Sequence, residues 1–229
     1  MLRFTTVNAR TPSSRRDRPG RSRSRDTPSR EERKEVTRRA IISAALTLLD
    51  DRSFSALSLR EVTREAGIVP AAFYRHFESM EALGLVLIDE SFRSLRDMLR
   101  TARADRLDPN RVIGSTVDIL TTSVTEQRDH WRFIARERSS GIAVMRYAIR
   151  TEIRLITAEL ATDLGRFPAL RDWSTEDLTI LAGLFVNAMI LIAEALEEAT
   201  DPAAVDEITR TAVKQLRMIV VGVDGWRST

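Results

Sequence analysis

The chain has no cysteine and only two histidines, His76 and His130. That excludes a disulfide, a thiolate zinc site and a cysteine nucleophile, and it leaves too few imidazoles for a histidine-rich metal site. No metal or cofactor is expected. No uninterrupted run of about 18 apolar residues occurs, so no membrane span is expected. Arg15-Arg16 has no apolar stretch behind it, which speaks against an export signal. Together with the missing cysteines this points to the reducing cytoplasm. Glycine and proline are few, 9 and 7 in 229 residues, and no segment reads better as strand than as helix. A Ser–His–Asp set, a glycine-rich phosphate loop and a paired-carboxylate motif are all missing, so catalytic residues are not expected.

Charge is unevenly spread. The formal total is +3. Residues 1–30 hold nine arginines against Asp17 and Asp26, a net of +7, which leaves −4 for the remainder. Residues 1–29 are also rich in Ser, Pro and Thr with little to bury, and they read as a disordered arginine-rich arm. Hydrophobic residues make up 43% of the chain, enough for a full core.

The most informative stretch is Ser58–Phe77, SLREVTREAGIVPAAFYRHF. Ser58 with Glu61 forms a capping box, and Leu57 with Val62 has staple spacing. Leu59, Val62 and Ala66 make one apolar stripe. Gly67 supplies a left-handed turn. Pro70 suits the first position of a new helix. Phe73 and Phe77, four apart, face inward, while Ala72, Tyr74, Arg75 and His76 fall on other faces. Two short helices at a tight turn form a helix-turn-helix, and the outer groups of the second suit phosphates and base edges. A plain helical hairpin would have the same spacing but no use for Tyr, Arg and His on that side.

Ser58-Leu59-Arg60-Glu61-Val62, Ala66-Gly67-Ile68, Phe73-Tyr74-Arg75-His76-Phe77 and Leu83 together resemble the DNA-binding signature of the TetR family of one-component transcriptional regulators. The resemblance covers residues 33–88. It implies an all-α protein of about nine helices: a three-helix DNA-binding domain over 30–78, then a helical ligand-binding and dimerisation domain over 79–229. It implies phosphate contacts from Tyr74, His76 and Arg38, base contacts from Arg75 and Ala72, and a base or phosphate contact from Arg60. Ser58 and Ala71 complete the DNA-binding set. Three positions depart from the family pattern. Val69 stands where a capping Ser or Thr is usual, Ala71-Ala72 lacks a hydroxyl, and Met80 replaces a frequent Lys. Residues 31–80 hold eight basic and eight acidic side chains. The arm therefore has two readings: a solvated tail, or a basic strand that follows the DNA backbone.

The first helix is expected from Arg30 to Asp50, with Ser29 and Glu32 as a second capping box. Helix four is expected from Ser79 to Ala102 as the link between domains. Asp108-Pro109, Asp129, Ile142, Ser174 and Asp201-Pro202 mark the later helix starts. Gly84-Leu85, Asp89-Glu90-Ser91 and Arg136-Glu137-Arg138-Ser139 resemble a subgroup that controls fatty-acid desaturation or unsaturated fatty-acid synthesis and senses long-chain acyl-CoA. Common helix-surface residues would read the same way. An effector pocket inside helices five to eight would draw on Trp131, Phe133, Tyr147, Phe185, Asn187 and Met189. Arg136 and Arg138 would meet acyl-CoA phosphates at its mouth. For the aromatics and Met, ordinary core is the other reading.

Helices eight and nine are apolar on more than one face. The stripes Leu181, Phe185, Ala188, Ile192 and Ile208, Ala212, Leu216, Ile219 are assigned to a homodimer interface, which would set two recognition helices on a palindromic duplex operator. The competing reading is a helical interaction protein whose basic arm binds RNA or anionic membrane without reading duplex sequence.

Overall fold

The computed structural model describes residues 29–103 and 109–228. The arginine-rich arm up to residue 28 and Asp108, the expected cap of the fifth helix, lie outside the described residues. Among the described residues there are nine α-helices and no strand. They are α1 (Arg30–Leu48), α2 (Leu59–Glu65), α3 (Pro70–Phe73), α4 (Met80–Arg103), α5 (Pro109–Glu126), α6 (Arg128–Glu137), α7 (Ala143–Leu164), α8 (Thr175–Glu198) and α9 (Pro202–Gly225).

Local signals set the helix starts. Ser29 and Glu32 close a capping box on α1, and Ser58 and Glu61 close one on α2. Each such cap is worth about 1 kcal/mol. Ser174 and Asp201 cap α8 and α9 with their side chains. Gly67 has φ of +66°, the left-handed turn between α2 and α3 that a side chain would strain. Helix α1 ends at Leu48, two residues short of the expected Asp50. The second helix of the helix-turn-helix is a single α-turn, Pro70–Phe73. It continues as tighter turns, in which Arg75 N–H donates to the Ala72 carbonyl and His76 N–H to that of Phe73.

Two apolar cores hold the chain together. One contains Ile41, Phe73, Leu83, Leu87, Phe133, Met145 and Ile149, drawn from α1, α3, α4, α6 and α7. It runs without interruption from the helix-turn-helix into the helices behind it. Gly84 lets this happen. A Cβ there would come within 3.1 Å of both Met145 and Phe54, so α4 crosses them at a distance tight for any side chain. The second core contains Val117, Leu120, Val124, Ile192, Leu196, Ala212 and Leu216 from α5, α8 and α9.

Helix α8 bears on the expectation that no membrane span is present. By length and composition alone it is apolar enough to cross a membrane, with an 18-residue window at mean hydropathy 2.0. Gly183, Asn187 and Glu194 interrupt the apolar run, so counting uninterrupted residues missed it. In the fold α8 packs against α5, α6, α7 and α9. Leu181, Ala182, Val186, Ile192, Ala193 and Leu196 are buried there.

Candidate nucleic-acid interface and effector cavity

The outer face of the helix-turn-helix is built on two buried rings. Phe73 and Phe77 are 0% and 3% exposed, with centroids 5.5 Å apart. They hold α3 down by one side. Tyr74 then projects outward at 60% exposure, its ring edge-on to Phe73. Ala71 and Arg75 are exposed beside it, and Ala72 is half-buried. Arg60 extends from α2 and is exposed. The Arg38 guanidinium lies 4.8 Å from the Phe77 ring centre, a cation–π contact that fixes it at the edge of α3. Val69 starts α3 without a side-chain cap.

His76 sits where this cationic cluster closes. Burial, then the charges of Lys34, Arg38 and Arg75, pushes its pKa below the ordinary histidine value. Its Nδ1 is buried with no hydrogen-bond partner among the described residues. Ser58 is placed differently from the other DNA candidates. Its hydroxyl donates to Glu61 Oε2 at 2.7 Å and accepts from the Glu61 N–H, so it is committed to the helix start. Arg52 completes this corner with an ion pair to Glu61 at 2.9 Å. The Ser58 bonds and Arg52 together hold the Glu61 carboxylate down at about 2.

Behind this head lies a cavity of about 450 Å³, within the range of small-molecule sites. Its lining runs along α8 from Leu181 to Glu197, with α4, α5, α6, α7 and α9 closing the sides. At 1.5 Å per residue that wall is about 24 Å long. Most of the lining is hydrocarbon. Charged groups occur at two places: Asp163 and Arg166 near the α7–α8 corner, and Arg138, Glu194 and Glu197 near the far end of α8. Exposed Arg166, Pro168 and Ala169 also line the cavity, so the corner end meets solvent.

Trp131, Arg138, Phe185 and Met189 line this cavity as expected residues. Phe133, Arg136, Tyr147 and Asn187 do not, and each has a physical reason. Phe133 lies two positions from Trp131, on the opposite side of α6, and is 1% exposed against Phe54. Asn187 stands in the same relation to Phe185 and is exposed. Tyr147 is 67% exposed on α7 with Arg154 over its ring. Arg136 turns to α1, donating to the carbonyls of Leu49 at 2.7 Å, Asp50 at 3.1 Å and Arg52 at 3.2 Å. Sequence reasoning missed the α7 wall of Ile153, Ile156 and Leu160. Their spacing of three and four was the available signal.

The stripes assigned to a dimer interface also need correction. Leu181, Ile192, Ala212 and Leu216 are between 1% and 6% exposed, buried in the protomer's own core. Phe185, Ala188, Ile208 and Ile219 are half-buried. The apolar side chains left outward on α8 are Ile180, Leu184 and Leu191, with Asn187 in the same stripe. On α9 they are Met218 and Val221. Each helix has two apolar faces, and periodicity does not say which one the core takes.

Over the described residues the molecule is thus all-helical, with a helix-turn-helix that groups Arg38, Arg75 and His76 in front of an apolar, ligand-sized cavity. Residues 41–85 match the family described as bacterial regulatory proteins, tetR family. Solved structures agree over about four-fifths of the chain. SCO4454, a TetR-family transcriptional regulator from Streptomyces coelicolor, superposes with TM-score 0.64 at 14% identity, covering 82% of this chain and 96% of that one. The fatty acid degradation regulator FadR from Bacillus halodurans gives TM-score 0.61 at 14% identity, over 79% and 96%. AibR, solved with isovaleryl coenzyme A and operator DNA, gives TM-score 0.61 at 17% identity, over 79% and 97%. The fold is TetR-like, with an N-terminal helix-turn-helix domain.

Proposed function

We propose that this protein is a TetR-type transcriptional regulator, acting as a repressor in the cytoplasm. It binds a palindromic duplex operator as a homodimer and releases or tightens on it when a small hydrophobic effector enters the cavity. The observation that carries the reading is the outward face of α3. Tyr74 and Arg75 are exposed there beside Arg38 and His76, on a turn held rigid by two buried phenylalanines. Arg75 reads bases, because a guanidinium can grip guanine bidentately. Tyr74, His76 and Arg38 hold phosphates. Residues 30–78 act as the reading head and residues 79–229 as the sensing and pairing part. The arginine-rich arm follows the DNA backbone and adds salt-dependent affinity.

The pairing surface is the exposed stripe Ile180, Leu184, Asn187 and Leu191 with Met218 and Val221. An apolar stripe of this size left in water marks a contact. A parallel placement of two protomers through it would serve a two-fold operator. For the effector, a long-chain acyl-CoA is put first, in control of lipid-metabolism genes. The long hydrocarbon wall of the cavity supports an acyl chain, and the coenzyme A and fatty-acid words in two neighbours' names point the same way. Trp131, Arg138, Phe185 and Met189 would touch it.

The test begins by selecting duplexes from random DNA with the full chain. Fluorescence anisotropy at physiological salt then compares the selected duplex with a scrambled one, and palmitoyl-CoA is titrated last. Preference for the selected duplex, altered by palmitoyl-CoA, is the expected result. Preference that palmitoyl-CoA leaves unchanged would keep the regulator and remove that effector. Selection that yields no preferred duplex, with affinity following charge alone, would favour the arm-only RNA or membrane binder.

A further inference from the structure

Helices α1 and α2 close their capping boxes locally. Glu32 and Glu61, three positions past the caps, accept the N–H of Ser29 and of Ser58. Helix α8 has the shorter Asp177 at that position, and its box is closed from far along the chain. The Ser174 N–H donates to Ser228 Oγ at 2.7 Å, 54 residues away. The Ser228 hydroxyl donates in turn to Asp177 Oδ2 at 2.6 Å. The Ser174 hydroxyl donates to the same oxygen at 2.9 Å and accepts the Asp177 N–H at 3.2 Å. Asp177 is only 9% exposed under this knot. A hydroxyl from the segment after α9 thus supplies the reach that Asp177 lacks.

The knot stands beside the end of the cavity that meets solvent. Residues 166–170 line the cavity there as turns rather than helix. Their backbone bonds are local: Phe167 N–H donates to Leu164, Leu170 N–H to Phe167 and Trp173 N–H to Leu170. Such a segment opens at low cost unless something distant ties it down. Gly165, just before it, lies tight on the first turn of α8, where a Cβ would come 3.1 Å from Leu178. Val220 and Val223, near the end of α9, line the same cavity.

We propose that residues 226–228 are a strap that holds this corner shut over the cavity, with Ser228 as its latch. The consequence for a ligand rests on the cavity being the effector site. Lifting the strap takes a donor from a buried carboxylate and leaves the Ser174 N–H to water, so the seated state is favoured. A ligand then crosses the corner only when the strap lifts. The strap is seated whether the cavity is filled or empty. It therefore sets how fast a ligand enters and leaves, with little effect on how tightly it is held.

The test uses the full chain. Amide hydrogen exchange over 166–178 should quicken about tenfold in Ser228→Ala, the worth of a hydrogen bond to a charged group. Residues 49–58 should exchange as in the native chain, which shows that the fold is kept. Ser228→Thr retains the hydroxyl and should restore protection, and a chain ending at Gly225 should match Ser228→Ala. Stopped-flow binding of Nile red, an uncharged dye that brightens in apolar surroundings, reads the gate. Ser228→Ala should raise its entry and exit rates together, about tenfold each, with Kd little changed. Unchanged exchange across 166–178, or a faster exit with no faster entry, would overturn the strap. Met189→Trp fills the cavity and should abolish the dye signal. A signal that survives it would remove the cavity as the ligand site, while the exchange result still decides the strap.

Discussion

The helix-turn-helix and the junction behind it are held by bonds of opposite kinds. In the head the polar contacts are local. Ser58 to Glu61 spans three residues, Thr63 to Leu59 spans four, and Arg52 to Glu61 spans nine. At the junction they are remote. Arg136 reaches Leu49 across 87 residues and Glu137 reaches Phe54 across 83. A local bond forms wherever its few residues are present. A remote bond forms only when the whole bundle has assembled. The head is thus shaped by its own sequence, and the junction depends on the assembled bundle.

The largest break of this contrast is at Phe133, the ring that both regions share. Phe133→Ala should cost about 3–5 kcal/mol in denaturant unfolding. Head and bundle should melt in one transition, because Phe54 and Met145 belong to the same core. Two separate transitions in that variant would show that the cores are independent. Next comes the outward stripe. Leu184→Arg with Leu191→Arg removes apolar surface that the protomer core does not use. Helix content by circular dichroism should be unchanged, while sedimentation shows monomer in place of dimer. Native-like dimer in that variant would place the contact elsewhere.

Gly84→Ala sharpens the junction. The new Cβ meets Met145 and Phe54 at 3.1 Å, and such overpacking costs about 1–3 kcal/mol, read as a lower denaturant midpoint. The smallest effect is local and depends on pH. Folding holds the Glu61 pKa at about 2, below its ordinary 4.5. Its contribution is therefore fully present above about pH 4.5 and is lost as the pH falls toward 2. Glu61→Gln should flatten the thermal-melting profile over that window, with the larger loss at neutral pH and little change near pH 2.

The same contrast explains what could be read in advance. Capping boxes at Ser29 and Ser58, the turn at Gly67 and the buried pair Phe73 and Phe77 follow from residues a few positions apart. They were legible, as was the all-helical class. The cavity was half legible. Trp131, Arg138, Phe185 and Met189 are on its wall, but Phe133 and Asn187 face away by two helical positions. Periodicity sorts faces without naming what each one meets. The contacts of Arg132 with Asp50, Arg136 with Leu49 and Glu137 with Phe54 were out of reach, since nothing near them in sequence hints at residues 49–54. The outward apolar stripe was missed for the same reason, with both faces of α8 being apolar.

If the exposed side of α3 reads sequence, discrimination between duplexes depends on Arg75. Anisotropy titrations of the native chain and Arg75→Ala against a selected duplex and its scrambled counterpart would measure discrimination at one salt concentration. The account predicts a loss of about 1–3 kcal/mol of preference with little change on scrambled DNA. Tyr74→Phe in the same assay should weaken both duplexes alike. Discrimination left intact in Arg75→Ala would contradict the claim and move sequence reading off this face.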